Sequence, residues 1–147
     1  MTIQEALLDY FDKFEGITRK GKDKYTSLEY LGVDTIFGIT TNPDAMGGVI
    51  STDVIGNQIK GHSFMFSAYF VYTQDVITMI ENSEFFEELM YWIAKNNKQG
   101  ILPEFNDGRV PLRLELIQTP YLFMVDESGK HAQYTVTYRL VYKERKV

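Results

Sequence analysis

Residues 110–142 alternate apolar and polar side chains so regularly that only a half-buried antiparallel sheet accommodates them. Leu112, Leu114 and Leu116 alternate with Arg113 and Glu115. Ala132, Tyr134, Val136, Tyr138, Leu140 and Tyr142 alternate with Gln133, Thr135, Thr137 and Arg139. Successive side chains of an extended chain point to opposite faces, so each apolar set gathers on one face. Between these runs the wholly apolar segment 121–125 meets the last run across Asp126-Glu127-Ser128-Gly129-Lys130, a polar loop whose glycine suits a hairpin tip. The spacing predicts a three-stranded meander.

The N-terminal segment carries a different period. Thr2-Ile3-Gln4-Glu5 matches a capping box, in which the Thr2 hydroxyl accepts from the Glu5 amide. Ile3, Ala6, Leu7, Tyr10, Phe11 and Phe14 then form one helical stripe, with Gly16 placed to end it. Residues 16–27 are charged, contain glycine and show no period, which predicts a loop. Residues 35–40 read as a strand stopped by Asn42-Pro43-Asp44. Residues 49–55 and 58–73 flank Gly56-Asn57, a pair suited to a two-residue primed turn, and predict a long hairpin.

In the second arm Phe64, Phe66, Ala68, Phe70 and Tyr72 share one face, with Ser63, Met65, Ser67, Tyr69 and Val71 on the other. Asp75 is placed to cap a short helical lead-in over 76–80, and Asn82-Ser83 to restart a main helix. There Phe85, Phe86, Leu89, Met90, Trp92 and Ile93 make a broad apolar stripe. In that reading Glu84, Glu87 and Glu88 lie near the helix's positive end, with Lys95 and Lys98 toward its negative end. Gly100 closes the helix, Pro103 prevents its resumption, and Asn106-Asp107-Gly108 turns into the meander. The expected fold is α+β in a single domain over 1–147. It has a mostly antiparallel twisted sheet and a long hairpin, with two main helices on one face, in the order α-β-β-β-α-β-β-β.

Composition narrows the chemistry. The chain has no cysteine, which removes disulfides, thiolate metal sites and a cysteine nucleophile. A net charge of -5 argues against nucleic-acid binding, which needs clustered basic side chains. The clusters that exist, Arg19, Lys20, Lys22 and Lys24, and Lys143, Arg145 and Lys146, read as a solvated loop and a tail. No apolar run approaches the ~18 residues of a membrane span, and the N-terminus lacks a signal-peptide pattern, so a cytoplasmic protein is expected. His62 and His131 are the only histidines and read as structural or surface residues. No Gly-x-Ser-x-Gly elbow accompanies them. Gly47-Gly48 lacks the Lys-Ser/Thr of a phosphate loop, and Glu84, Glu87 and Glu88 lack a Glu-x-x-His partner. No catalytic residue, cofactor or metal is expected.

The aromatics pose the remaining question. Ten Tyr and ten Phe are many for 147 residues. If one sheet face is covered, Met65, Tyr69, Val71, Ile117 and Val141 are left on the other. Exposed apolar area of that kind marks a protein interface. Ile55, Gly56, Asn57 and Ile59 at the hairpin tip, with Met65, Tyr69 and Val71, are the candidate assembly residues, because 58–73 is longer than a small sheet needs to pair. A rival expectation is a small-molecule or peptide binding domain with an aromatic groove between sheet and helices.

The element order resembles the tail-completion proteins of tailed phages. So do the motifs Phe85-Phe86-Glu87-Glu88-x-x-Tyr91-Trp92-Ile93, Gly100-Ile101-Leu102-Pro103, Tyr121-Leu122-Phe123 and Tyr134-x-Val136-x-Tyr138-Arg139-Leu140-x-Tyr142. These proteins are the tail-terminator or minor capsid type of phages, prophages and phage-derived contractile particles of Gram-positive bacteria. The resemblance covers residues 30–144, and its motifs are largely packing patterns lifted by their order and spacing. It implies a structural, non-catalytic α+β subunit forming a ring, a hexamer, on the head-proximal end of the tail tube. There it stops tube polymerisation and offers a docking surface to the neck or head-completion protein. The implied partners are further copies, the tube protein, the neck protein and, in a contractile particle, the sheath, with no membrane and no sequence-specific nucleic acid. The implied setting is the bacterial host cytoplasm during assembly, and the particle afterwards.

Overall fold

A computed structural model of the chain describes residues 2–14, 26–28, 37–41, 48–71, 76–125, 127 and 131–144. Among the described residues two helices, α1 (Ile3–Phe11) and α2 (Val76–Gln99), pack on a single sheet. Its strands are β1 (Thr26–Leu28), β2 (Phe37–Thr41), β3 (Gly48–Thr52), β4 (Gln58–Val71), β5 (Val110–Val125) and β6 (His131–Glu144). The expected α+β class is the observed one.

The sheet runs β1-β2-β4-β6-β5, with β3 also on β4. All pairs are antiparallel except β1 with β2. Strand β4 pairs with β6 over its whole length, from Gln58 opposite Glu144 to Val71 opposite His131. Its other side is shared by β3, opposite residues 58–61, and β2, opposite residues 64–68. The arm therefore does not outrun its sheet over residues 58–71, because β6 is as long as β4.

The meander is a single hairpin. Residues 110–125 form one strand, with register shifts between Pro111 and Arg113, Leu116 and Gln118, Gln118 and Tyr121, and Leu122 and Met124. Such bulges let an edge strand absorb Pro111 and Pro120, which have no N–H to give a ladder. Strand β1 lies at the end of the expected 16–27 loop. The rest of that loop, with its basic cluster, falls outside the described residues, as do Asn42-Pro43-Asp44, Gly47 and Asp75.

Helix α1 begins as its sequence dictates, with the Thr2 Oγ1 accepting from the Glu5 N–H at 3.1 Å. Its last α-helical residue is Phe11. Tighter bonds from Lys13 N–H to Tyr10 and from Phe14 N–H to Phe11 carry the chain on, so that Phe14 still reaches the core. Gly16 lies outside the described residues. Helix α2 is continuous over 24 residues, so Asn82-Ser83 neither ends nor restarts it. Glu84, Glu87 and Glu88 are therefore mid-helix, away from the dipole's positive end.

The C-terminus of α2 is a Schellman motif. Gly100 takes φ +73, Gly100 N–H donates to the Asn97 carbonyl at 3.3 Å, and Ile101 N–H to the Asn96 carbonyl at 2.9 Å. The two asparagines in this turn tie α2 to its neighbours. The buried Asn96 Nδ2 donates to the Tyr10 hydroxyl at 3.2 Å, joining α1. Asn97 donates to the Leu114 carbonyl at 2.9 Å and accepts from the Leu114 N–H at 3.0 Å, joining β5.

Aromatic rings fill the space between helices and sheet. Phe11 stacks on Phe66 at 4.8 Å and meets Phe64 edge-on at 5.8 Å. Phe37 stacks on Phe85 at 5.2 Å, and half-buried Trp92 wedges against Tyr10 at 4.8 Å and Phe14 at 5.2 Å. Burial pushes the Tyr10 hydroxyl up to about 12, partly opposed by the Asn96 bond. Burial, with Tyr10 nearby, pushes Tyr138 up as well. A phenol held neutral more firmly in the fold than in the open chain contributes stability fully below the unfolded value of about 10. That contribution is lost as pH rises through the folded value. Melting temperature followed against pH is expected to fall most steeply between about pH 10 and 12; a flat profile there would show that these hydroxyls reach water.

Candidate assembly surface

The sheet face away from the helices is better covered than alternation suggests. Val141 is fully buried, and Ser63, Ser67, Thr135 and Thr137 are buried as well. The Ser67 and Thr135 hydroxyls bond each other at 3.1 Å. Gly61, opposite Val141, has the Arg139 stem and the Ile50 side chain lying over it, so that an added Cβ would stand 2.8 Å from Arg139 Cδ and 3.2 Å from Ile50 Cδ1. Arg139 is held by Glu115 at 3.2 Å, and Glu115 also faces Arg113 at 3.4 Å. Val141 is therefore not part of an exposed outer patch. Met65 and Tyr69 are half-buried, and the Val71 side chain is outside the described residues.

At the hairpin the connection is five residues long, because Thr52 pairs with Gln58. Gly56-Asn57 is not a two-residue turn. The Asp53 carboxylate organises the loop, accepting from Ile55 N–H at 3.0 Å and Asn57 N–H at 2.8 Å, while Gly56 takes φ +91. Desolvation works to raise the Asp53 carboxyl, but these bonds, the Asn57 side chain and the nearby Lys143 outweigh it and hold the carboxyl below its usual range. A depressed acid stabilises above its unfolded pKa and loses that contribution as pH falls through the folded one. The Ile55 and Asn57 amide shifts are therefore expected to hold steady on acidification to about pH 4 and to move below it.

This loop turns its apolar side chains outward. Val54 is fully exposed and Ile55 is 68% exposed, and Val49 and Ile50 on β3 are about half exposed. Ile59, opposite Lys143, is half-buried, as are Gly56 and Asn57. Of the expected candidates whose side chains are described, Ile55 stands furthest into water.

The largest apolar exposure lies elsewhere, on β5. Leu114 is buried, whereas Leu116, Ile117, Leu122, Phe123 and Met124 are each 43–51% exposed. The exposed apolar side chains of β5 fall on both faces of the strand: Leu116, Leu122 and Val125 lie opposite core-face residues of β6, and Val110 and Met124 opposite residues of the other face. The alternation of 112–116 reads as a core-facing set because the pattern does not reveal that β5 is the outermost strand. Beside its second half lies a groove of about 390 Å³, walled by Phe86, Glu87 and Met90 of α2 and by Tyr121 and Leu122 of β5. Tyr134 lies within it.

His62 lies half-buried in β4 opposite Leu140; the His131 side chain is outside the described residues. Among the described residues no three His, Asp or Glu side chains stand together as a metal cluster, and no helix is long and apolar enough to cross a membrane. No protein-family model matches the sequence, and no curated protein matches it either.

Proposed function

We propose that this chain is a structural assembly subunit of the tail-terminator type. It forms a ring, a hexamer, that caps the head-proximal end of a phage tail tube or tail-like particle, stops tube growth and receives the neck. The observation that carries this reading is the apolar surface left in water along β5 and on the 53–57 turn, which a ring of identical subunits removes from solvent. The order and spacing of the quoted motifs support the particular family. The sheath would be a further neighbour in a contractile particle, and no catalytic step is required of any residue.

The test is mass and shape. Light scattering and negative-stain microscopy are expected to show closed rings, alone or on the ends of tail tubes, and tubes assembled in its presence are expected to be capped. A monomer that neither forms rings nor binds tube ends would overturn the proposal.

The groove beside Tyr121 and Tyr134 favours one rival. Its volume lies within the range of small-molecule sites, and its lining is mostly aromatic and aliphatic. Saturable binding of an aromatic or peptide ligand by a stable monomer would establish that reading.

A further inference from the structure

The turn between α2 and β5 carries a covalent chemistry that the proposed function does not use. Asp107-Gly108 is the one place in the sequence where glycine follows an aspartate or an asparagine. At such a pair the backbone nitrogen of the glycine attacks the side-chain carboxyl carbon of the residue before it. The new C–N bond closes a five-membered succinimide, and the carboxyl oxygen leaves as water. Water then opens the ring at either carbonyl, giving back aspartate or giving isoaspartate, in which the main chain runs through the former side chain. One water is released and one is taken up, and nothing is oxidised or reduced.

The local geometry favours that closure. Asp107 and Gly108 are exposed to water. Gly108 has no side chain to shield its nitrogen, and an added Cβ there would meet nothing within 4 Å. Asp107 Oδ1 accepts from the Arg109 N–H at 3.3 Å, an Asx-type bend that folds the carboxyl back over the peptide that follows it.

The Arg109 guanidinium works in the opposite sense. Its Nε lies 3.0 Å from each Asp107 oxygen, and its Nη2 lies 2.7 Å from Oδ2. The guanidinium is itself seated, with Cζ 4.3 Å from the centre of the Phe105 ring, and Phe105 packs on Tyr142 of β6 at 5.8 Å. Ring closure needs a protonated carboxyl, because a carboxylate is a poor electrophile and its oxygen a poor leaving group. The Arg109 side-chain bonds hold the Asp107 carboxyl below its usual range, although desolvation works to raise it.

We propose that Asp107-Gly108 is the site at which this chain forms isoaspartate, and that Arg109 restrains the reaction while the chain is folded. The restraint depends on a fork that engages both oxygens at once, which a lysine ammonium does not reproduce. The product undoes its own restraint. Isoaspartate lengthens the main chain by a methylene and shortens the side chain by one, so the carboxylate leaves the fork and the entry to β5 loosens. No partner is involved, so the site stands whatever the chain assembles into.

The test compares wild type, Arg109→Ala and Arg109→Lys, each folded, with wild type unfolded in guanidinium chloride. All are held at one mildly acidic pH in water enriched in heavy oxygen, and residue 107 is then followed by mass spectrometry of the digested chain. Each ring opening leaves one labelled oxygen there, so passage through the succinimide is recorded even when aspartate is regenerated. The expected result is labelling and isoaspartate at residue 107 in the unfolded chain and a severalfold slower reaction in folded wild type. In folded Arg109→Ala the rate is expected to approach the unfolded one, with Arg109→Lys between. Circular dichroism shows which variants are folded, and if Arg109→Ala is not, Arg109→Lys carries the same comparison. Folded variants that react no faster than folded wild type would overturn the role of Arg109. An unfolded chain without label at residue 107 would remove the site.

Discussion

Replacing Phe11 by alanine is expected to lower the free energy of unfolding by about 3–5 kcal/mol. The residue is fully buried, and its ring touches four others, Tyr10, Phe64, Phe66 and Trp92, drawn from both helices and the central strand. A nine-residue helix has no stability of its own in water, so α1 is held by this face. Its Thr2 cap contributes only about 1 kcal/mol. Because a domain of this size has about 5–15 kcal/mol in total, the variant is expected to be marginal at physiological temperature. Urea unfolding followed by the fluorescence of Trp92, which lies against α1, measures the loss. A change below about 1 kcal/mol would mean that neighbouring rings close over the cavity.

Asn97→Ala is expected to cost about 2 kcal/mol through a different mechanism. The wild-type amide meets both the N–H and the carbonyl of Leu114, doing for an outer strand what another strand's peptide group would do. Its removal leaves two partly buried backbone groups without that partner, each costing of order 1 kcal/mol or more. It also uncovers the edge of β5 at the point where α2 covers it, so aggregation on warming is expected alongside the lower melting temperature. Hydrogen exchange at the Leu114 amide separates this from general loosening. Protection should fall there first, and unchanged protection would show that water replaces the asparagine at no cost.

The parts of the fold written in local chemistry were legible from sequence. The Thr2 cap and the stripe from Ile3 to Phe14 define α1, and Gly100 marks the end of α2, where it takes the left-handed conformation and completes two backbone bonds. The alternation of 132–142 places Val136, Tyr138 and Leu140 in the core. What depends on neighbours was not legible. Asn82-Ser83 has the chemistry of a helix start, yet packing of Phe85, Phe86 and Leu89 runs the helix straight through it. Gln118, Thr119 and Pro120 interrupt the period of 110–125 and suggest two strands, but an edge position lets one bulged strand carry them. Gly56-Asn57 fits a two-residue turn, and the Asp53 carboxylate four residues earlier captures the loop instead. Period two assigns Val141 to the outer face without revealing that Ile50 and the Arg139 stem lie across its partner Gly61. For the same reason only Ile117 of the exposed residues on β5 is legible in the sequence: side-chain alternation says which residues share a face, and nothing in it says which strand comes last in the sheet.

The position of β6 has a consequence for how the chain reaches this state. It is the last strand in sequence, yet it lies between β4 and β5 and pairs with both, meeting β4 across a separation of some seventy residues. Until it is in place β4 lacks its longest partner, and β5 has no strand beside it. Closure therefore waits on a pairing between strands far apart in sequence, which favours folding in milliseconds to seconds rather than microseconds. During synthesis the apolar faces of β4 and β5 emerge before the strand that joins them. The interval before β6 docks is when premature association between nascent chains is most exposed to chance, and when a chaperone has the most to cover.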